Sequence, residues 1–286
     1  MWKAIRPTGK NLHYWQLGVL VAFMLAWQLV SRNQQYAFFL GEPVKVLARV
    51  WSWFMPFGLG PSWLFPEGLP GNADIYSHLG TTLLETLLAF GIGTLLGLGC
   101  GLWLALAPVA SAIMEPYIKA ANPYIKAANA MPRVILAPIF ALWFGLGIWS
   151  KVALAVTLVF FIVFFNVYQG VREVSPVVLA NARMLGASQR QLLRTVYLPS
   201  ATSWVFSSLH TSVGLAFVGA VVGEYLGSAR GVGYLILQAE GSFDVNTVFA
   251  GIVVLTVFAL LLDGIVGKLE KRLMKWQPRS GQTEKL

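Results

Sequence analysis

Six apolar runs of roughly membrane-spanning length leave this chain few folds to choose from. They are Leu12–Ser31, Leu79–Ala107, Val134–Trp149 (whose beginning is blurred), Val152–Tyr168, Trp204–Leu226 and Val248–Gly267. Inside a bilayer there is no water to satisfy backbone N–H and C=O groups, so a spanning run of this kind closes its hydrogen bonds internally as a helix. Composition agrees: 57% of the 286 residues are hydrophobic and only 12% are charged. A soluble fold of this length needs more polar surface than that. The expected fold class is therefore an all-α membrane protein with about six transmembrane helices. No small-residue cleavage site follows Val30, so the first run reads as an uncleaved anchor, with Trp15 and Trp27 suited to the two interfaces.

Charge sets an expected orientation. With six spans, both termini and the 108–133 and 171–203 connections share one side, and that side holds sixteen of the 21 Lys and Arg residues. The other side holds Arg32, Lys45, Arg49, Lys151 and Arg230. An excess of cations marks the cytoplasmic face, so both termini are expected there. The net charge of +9 follows from this asymmetry and calls for no nucleic acid.

Little in the chain points to catalysis or to metals. Cys100 stands alone in an apolar run, and His13, His78 and His210 lack a ligand-type neighbour one helical turn away. Gly186-Ala187-Ser188 lacks the second glycine of a nucleophile elbow. No cofactor is expected on this chain and no metal site. Intramembrane polar residues mark pathways more often than reaction centres. Glu85, Asn166, His210 and Glu224 are the candidates here, with interface snorkelling or helix capping as the alternative. Asp263, near the inner end of the last run, belongs with the same group.

Three further patterns bear on packing. Gly93, Gly97 and Gly101, and again Gly219, Gly223 and Gly227, recur every four residues. Such stripes let helix backbones approach, either within the chain, along a pathway, or against a second copy. Pro43 is placed to start an interfacial helix with Val44, Leu47, Val50, Trp51 and Phe54 on one face. The following 57–72 stretch, rich in Pro and Gly, reads as an irregular connector. A tandem repeat, Pro116–Asn122 followed by Pro123–Asn129, lengthens a helix by roughly 10 Å and reads as a neutral duplication.

The most informative segment is the polar stretch Val171–Pro199, which carries Arg172, Arg183, Arg190 and Arg194. Ala180, Ala182, Arg183 and Leu185 precede Gly186 at helical spacing. Leu192, Leu193 and Val196 then form an apolar face, with Arg190 and Arg194 one turn apart on another. Gly186 stands where a chain reversal is needed. The expected shape is a compact knob of two short helices about a glycine, facing the cytoplasm.

This loop resembles the EAA loop of permease subunits of binding-protein-dependent ATP-binding-cassette importers. Ala182, Gly186, Val196, Leu198 and Pro199 keep that motif's spacing, while Ala180 and Asn181 stand where Glu and Ala are usual. Pro132-Arg133, Ala137-Pro138 and Leu142–Gly147 are similar to the nitrate, sulfonate and taurine branch, as are Gly223-Glu224 and Arg230–Leu235. Relatives commonly carry one copy of the 116–129 repeat and a basic residue near Glu85. The resemblance covers roughly residues 78–275.

The resemblance implies a type I importer permease fold in the bacterial inner membrane, with three parts. Residues 1–77 would hold the first span and a periplasmic or interfacial segment. Residues 78–270 would form the permease core, with the EAA loop at 173–200, and 271–286 a cytoplasmic tail. It also implies a second permease copy, two ATPase subunits that hold the ATP, and a periplasmic binding protein. Ala180, Ala182, Arg183, Gly186, Ala187, Arg190, Leu193, Arg194, Leu198 and Pro199 would form the ATPase-coupling element. The permease itself hydrolyses nothing. Expected cargo is a small anion such as a sulfonate, taurine or nitrate. An aromatic acid or vitamin precursor carried by the same machinery is the first alternative. An ATP-independent secondary transporter would show inverted repeats with charged coupling sites at the midplane, and an intramembrane enzyme a catalytic pair; neither pattern is present in the sequence.

Overall fold

The computed structural model describes residues 12–54, 75–106 and 133–273. The tandem repeat, the 57–72 connector, and both chain ends lie outside the described residues. Eleven α-helices account for nearly all of the rest: α1 Leu12–Val30, α2 Gln34–Leu40, α3 Pro43–Phe54, α4 Ile75–Leu106, α5 Ala137–Phe144, α6 Ile148–Arg172, α7 Pro176–Met184, α8 Gln189–Leu192, α9 Leu198–Gly227, α10 Val232–Gly241 and α11 Val245–Leu273. Among the described residues, four helical stretches are long and apolar enough to cross a membrane: Ile75–Leu106, Ile148–Arg172, Trp204–Gly241 and Val245–Glu270. Tyr14–Val30 and Arg133–Phe144 are shorter apolar helices.

The described residues fall into two units, one within Met1–Tyr76 and Leu235–Thr256, the other within Ser77–Tyr234 and Val257–Leu286. In the first unit, α3 starts at Pro43 as expected, where a missing N–H costs nothing. Its apolar stripe is the outward one: Val44, Leu47, Trp51 and Phe54 are exposed, whereas Pro43, Val46 and Trp53 are buried. Arg49 Nη2 pairs with Asp244 at 2.8 Å, Asn246 Oδ1 accepts from the Glu42 N–H at 2.8 Å, and Trp27 meets Phe249 edge-on. These contacts tie α1 and α3 to the start of α11.

The second unit is organised around α6. Ala155, Val159, Val163 and Val167 are fully buried and repeat every four residues along it. Each glycine of the α4 stripe faces one of them. A Cβ built on Gly93 would lie 2.7 Å from Val159 Cβ, on Gly97 2.8 Å from Val163 Cβ, and on Gly101 3.0 Å from Val167 Cβ. Both series rise together, so α4 and α6 run parallel. The other stripe runs antiparallel to α6 and the turn before it: Gly219 meets Ala155, Gly223 meets Lys151 and Gly227 meets Leu146. Both stripes therefore serve packing within the chain. Lipid is as apolar as leucine, so close backbone approach, rather than burial from water, holds such helices together.

Two run boundaries differ from the sequence expectation. The third run ends at Phe144, because Gly145 takes a positive φ of 73° and α6 already begins at Ile148. The fifth run continues past Leu226 into a turn and a further helix, α10.

Candidate functional site

The Val171–Pro199 segment is built around Gly186. α7 ends at Met184, and the chain then closes a Schellman motif: the Gly186 N–H bonds the Arg183 carbonyl at 3.0 Å and the Ala187 N–H the Ala182 carbonyl at 3.1 Å. Gly186 has φ +79°, and a Cβ there would meet nothing within 4 Å. Its requirement is thus conformational rather than steric. The Ala–Gly spacing of the motif has the same origin, since Ala182 and Ala187 pack beside the buried trio Val174, Leu192 and Val196. Ser188 and Gln191 then form a capping box that starts α8.

One expectation is corrected here. The second half of the knob is not a separate short helix. Helical structure passes from α8 through a π turn, Leu193–Tyr197, straight into α9. The Leu198 N–H reaches back five residues to the Leu193 carbonyl. Pro199 supplies the reason: it has no N–H to donate and its ring crowds the preceding turn, which the wider π geometry accommodates. Helical hydrogen bonding thus runs unbroken from the knob into a membrane-spanning helix.

Of the residues expected to couple to an ATPase, Ala180, Arg183, Gly186, Arg190, Arg194, Leu198 and Pro199 are exposed, and Ala182, Ala187 and Leu193 are half-buried. Two side chains outside the expected coupling set dominate the tip: Met184 and Leu185 are 85% and 89% exposed. Large apolar groups at that exposure, in a segment that also exposes Arg183, Arg190 and Arg194, form a surface suited to a partner. Their position immediately before Gly186 was the available signal.

The pathway candidates separate into three places. Glu85 and Glu224 come together at the start of α4 and the end of α9, both 0% exposed. Beside Glu85 stands Lys151, 4% exposed, in the first turn of α6. Its Nζ lies 2.5 Å from Glu85 Oε1 and donates to Ser228 Oγ at 2.7 Å. Glu224 accepts from Thr82 Oγ1 at 2.6 Å and from the Gly233 N–H at 2.8 Å. The Val232 N–H bonds Thr82 Oγ1 at 3.2 Å, and the Gly231 N–H meets His78 Nδ1 at 3.0 Å.

Three consecutive N–H groups that open α10 are thus satisfied by side chains of α4 and α9. A helix start leaves such groups unpaired and favours a carboxylate beside it. The geometry of Glu224 is that of a helix cap. A Cβ on Gly231 would collide with the Glu224 carboxylate, and one on Gly233 would lie 2.5 Å from the Val221 carbonyl. His78, Thr82 and Glu85 share one face of α4 at i, i+4 and i+7, a signal legible in retrospect. Lys151 had none, since sequence counted it only among charges of one side.

His210 lies elsewhere, with Nε2 3.1 Å from Asp263 Oδ1 and Nδ1 3.5 Å from Glu270 Oε2. Asn166 is half-buried, donates to the Ile162 carbonyl at 2.8 Å, and lines a groove with Arg133.

Comparison with known proteins decides the family. Residues 93–275 match the family described as "Binding-protein-dependent transport system inner membrane component". The chain belongs to this family. It is a multi-pass inner-membrane permease of an ATP-binding-cassette importer. Among relatives, the putative aliphatic sulfonates transport permease protein SsuC of Bacillus subtilis is 34% identical over 275 residues, covering 95% of this chain and 91% of that protein. The formylaminopyrimidine transport permease protein ThiX of Halalkalibacterium halodurans is 31% identical, covering 90% and 93%. The fold of this permease resembles a chain of the inward-facing MetNI methionine ABC transporter, with a TM-score of 0.59 at 17% identity over 69% of this chain and 95% of that one.

Proposed function

We propose that this permease carries a small organic anion of the sulfonate class inward, driven by a cytoplasmic ATPase that docks on the α7–α8 knob. The substrate class rests on similarity to a putative sulfonate permease. A periplasmic binding protein delivers the cargo and does most of the selecting. ATP is held by the ATPase subunits, two per complex, and this chain binds no cofactor. A second copy of the permease completes the pathway. Both termini and the knob face the cytoplasm, as the distribution of Lys and Arg supports.

The observation that carries the docking role is the apolar tip at Met184 and Leu185, in a segment with exposed arginines whose helical structure is continuous with α9. A force on the tip passes through the π turn into α9, whose far end holds Glu224 in the buried polar cluster. The same helix thus joins a cytoplasmic contact to the clasp that starts α10. ATPase closure would move the knob, and α9 would transmit that motion as a rigid lever. Leu185→Asp with Met184→Asp should leave the permease folded in the membrane while abolishing co-purification of the ATPase. Unchanged co-purification and uptake would sink the docking role.

ThiX, whose name gives formylaminopyrimidine as cargo, shares almost the whole chain length. That favours a heteroaromatic compound as the second reading for the substrate. Uptake of labelled ethanesulfonate against a formylaminopyrimidine, by membranes holding the full complex, separates the two.

A further inference from the structure

Arg133 places its charge where a membrane protein has least reason to hold one. It opens a 3₁₀ turn ahead of α5, yet its Nη1 donates to the Thr157 carbonyl at 3.2 Å, and its guanidinium lies 4.9 Å from the Phe161 ring centroid. Thr157 sits well inside α6, roughly 13 Å from its start and about 22 Å from its end at 1.5 Å per residue. The hydrocarbon core is about 30 Å thick, so the guanidinium is far from both ends of the span. An arginine at such depth facing lipid is costly; those that persist face protein or a water-filled cavity.

A cavity of about 400 Å³ lies at that place, lined by Arg133, Phe161, Phe165 and Asn166 with the aliphatic Leu158 and Leu215. The lining offers one cation, one carboxamide and flat apolar walls, and no carboxylate among the described residues. A guanidinium fork matches the oxygens of a planar or tetrahedral oxyanion, and the aromatic and aliphatic walls suit a short carbon tail. The volume is that of a small-molecule site.

We propose that this groove is a transient subsite for a small oxyanion, within the chain's own translocation path. It rests on the importer reading above and names the place in the permease where the cargo is held. Among the described residues the lining carries a single cation, which suits passage, because a carrier site must be attractive enough to fill and weak enough to empty.

The chain has one cysteine, so accessibility chemistry is clean. In a Cys100→Ser background, Leu215→Cys would be treated in membranes with the anionic sulfonatoethyl methanethiosulfonate and its cationic trimethylammonioethyl counterpart. The anion should react faster. Arg133→Gln should lower the anion-to-cation rate ratio about tenfold or more, as loss of one nearby charge in a partly dry groove requires. Arg133→Lys, which keeps the charge, should restore the ratio even where the Thr157 bond changes. Free ethanesulfonate should slow the modification in nanodiscs of phosphatidylcholine alone. Protection seen only with phosphatidylglycerol would assign the groove to a lipid headgroup and overturn the proposal. So would a ratio indifferent to Arg133→Gln, or a thiol that neither reagent reaches. Failure of the wild-type complex to take up ethanesulfonate would refute the cargo while leaving the rate ratio unchanged, so the two failures are distinct.

Discussion

Removing Lys151 should be among the most damaging single changes in this permease. Lys151 and Glu85 are 4% and 0% exposed and lie 2.5 Å apart, and Glu224, also 0% exposed, shares their site. Lys151→Met keeps the length of the side chain but leaves two carboxyl groups without their cation. Breaking a buried pair from one side costs about 3–5 kcal/mol, since the remaining charge stays desolvated. At roughly 2–4 °C per kcal/mol for a chain of this size class, the midpoint of unfolding should fall by about 10 °C. Glu85→Gln alone should be destabilising as well, because it leaves the buried Lys151 without its paired carboxylate, held by Ser228 alone. The double variant Lys151→Met/Glu85→Gln removes one charge of each sign and should recover at least about 2 kcal/mol of the summed loss. The assay is thermal unfolding of the purified full-length protein in lipid nanodiscs, followed by tryptophan fluorescence. Single variants that each cost under about 1 kcal/mol, or a double variant equal to the sum of the singles, would refute the reasoning.

Three further outcomes follow from the geometry. Gly186→Val should cost more than Gly186→Asn, because Asn tolerates a left-handed backbone at a helix end and a β-branched residue does not; transport-coupled ATPase activity of the complex reads the difference, and equal activities would contradict it. Gly97→Val should prevent accumulation of folded protein, with a Cβ 2.8 Å from Val163 Cβ and 3.0 Å from the Phe160 carbonyl, whereas Gly99→Ala meets open space and should gain up to about 1 kcal/mol from helix propensity; membrane-inserted yield separates the two. Gly231→Ala should disrupt the α10 start by driving a methyl group into the Glu224 carboxylate, and protease accessibility of residues 228–241 should rise; unchanged accessibility would show that the cap is dispensable.

The sequence alone determined the class, the approximate spans and the site of the knob. Those features are local: span-length apolar runs, a glycine at the knob's positive-φ position, and Pro43 at a helix start all act within a few residues. It did not determine which polar groups meet. Glu85, Lys151 and Glu224 come from three helices, and only the packing of glycine stripes on α6 brings them within reach. Nor did it reveal that Arg133 reaches mid-span, since charge counting assigned it to a loop. The physical reason lies in the solvent. In water, apolar periodicity reports which face of a helix is buried. In lipid it does not, because Leu84, Leu87, Leu95 and Leu96 stay exposed on the same helix that buries Ala89. What the tertiary structure decided was therefore each helix's protein-facing side, set by backbone approach at glycine and by the pairing of a few buried charges.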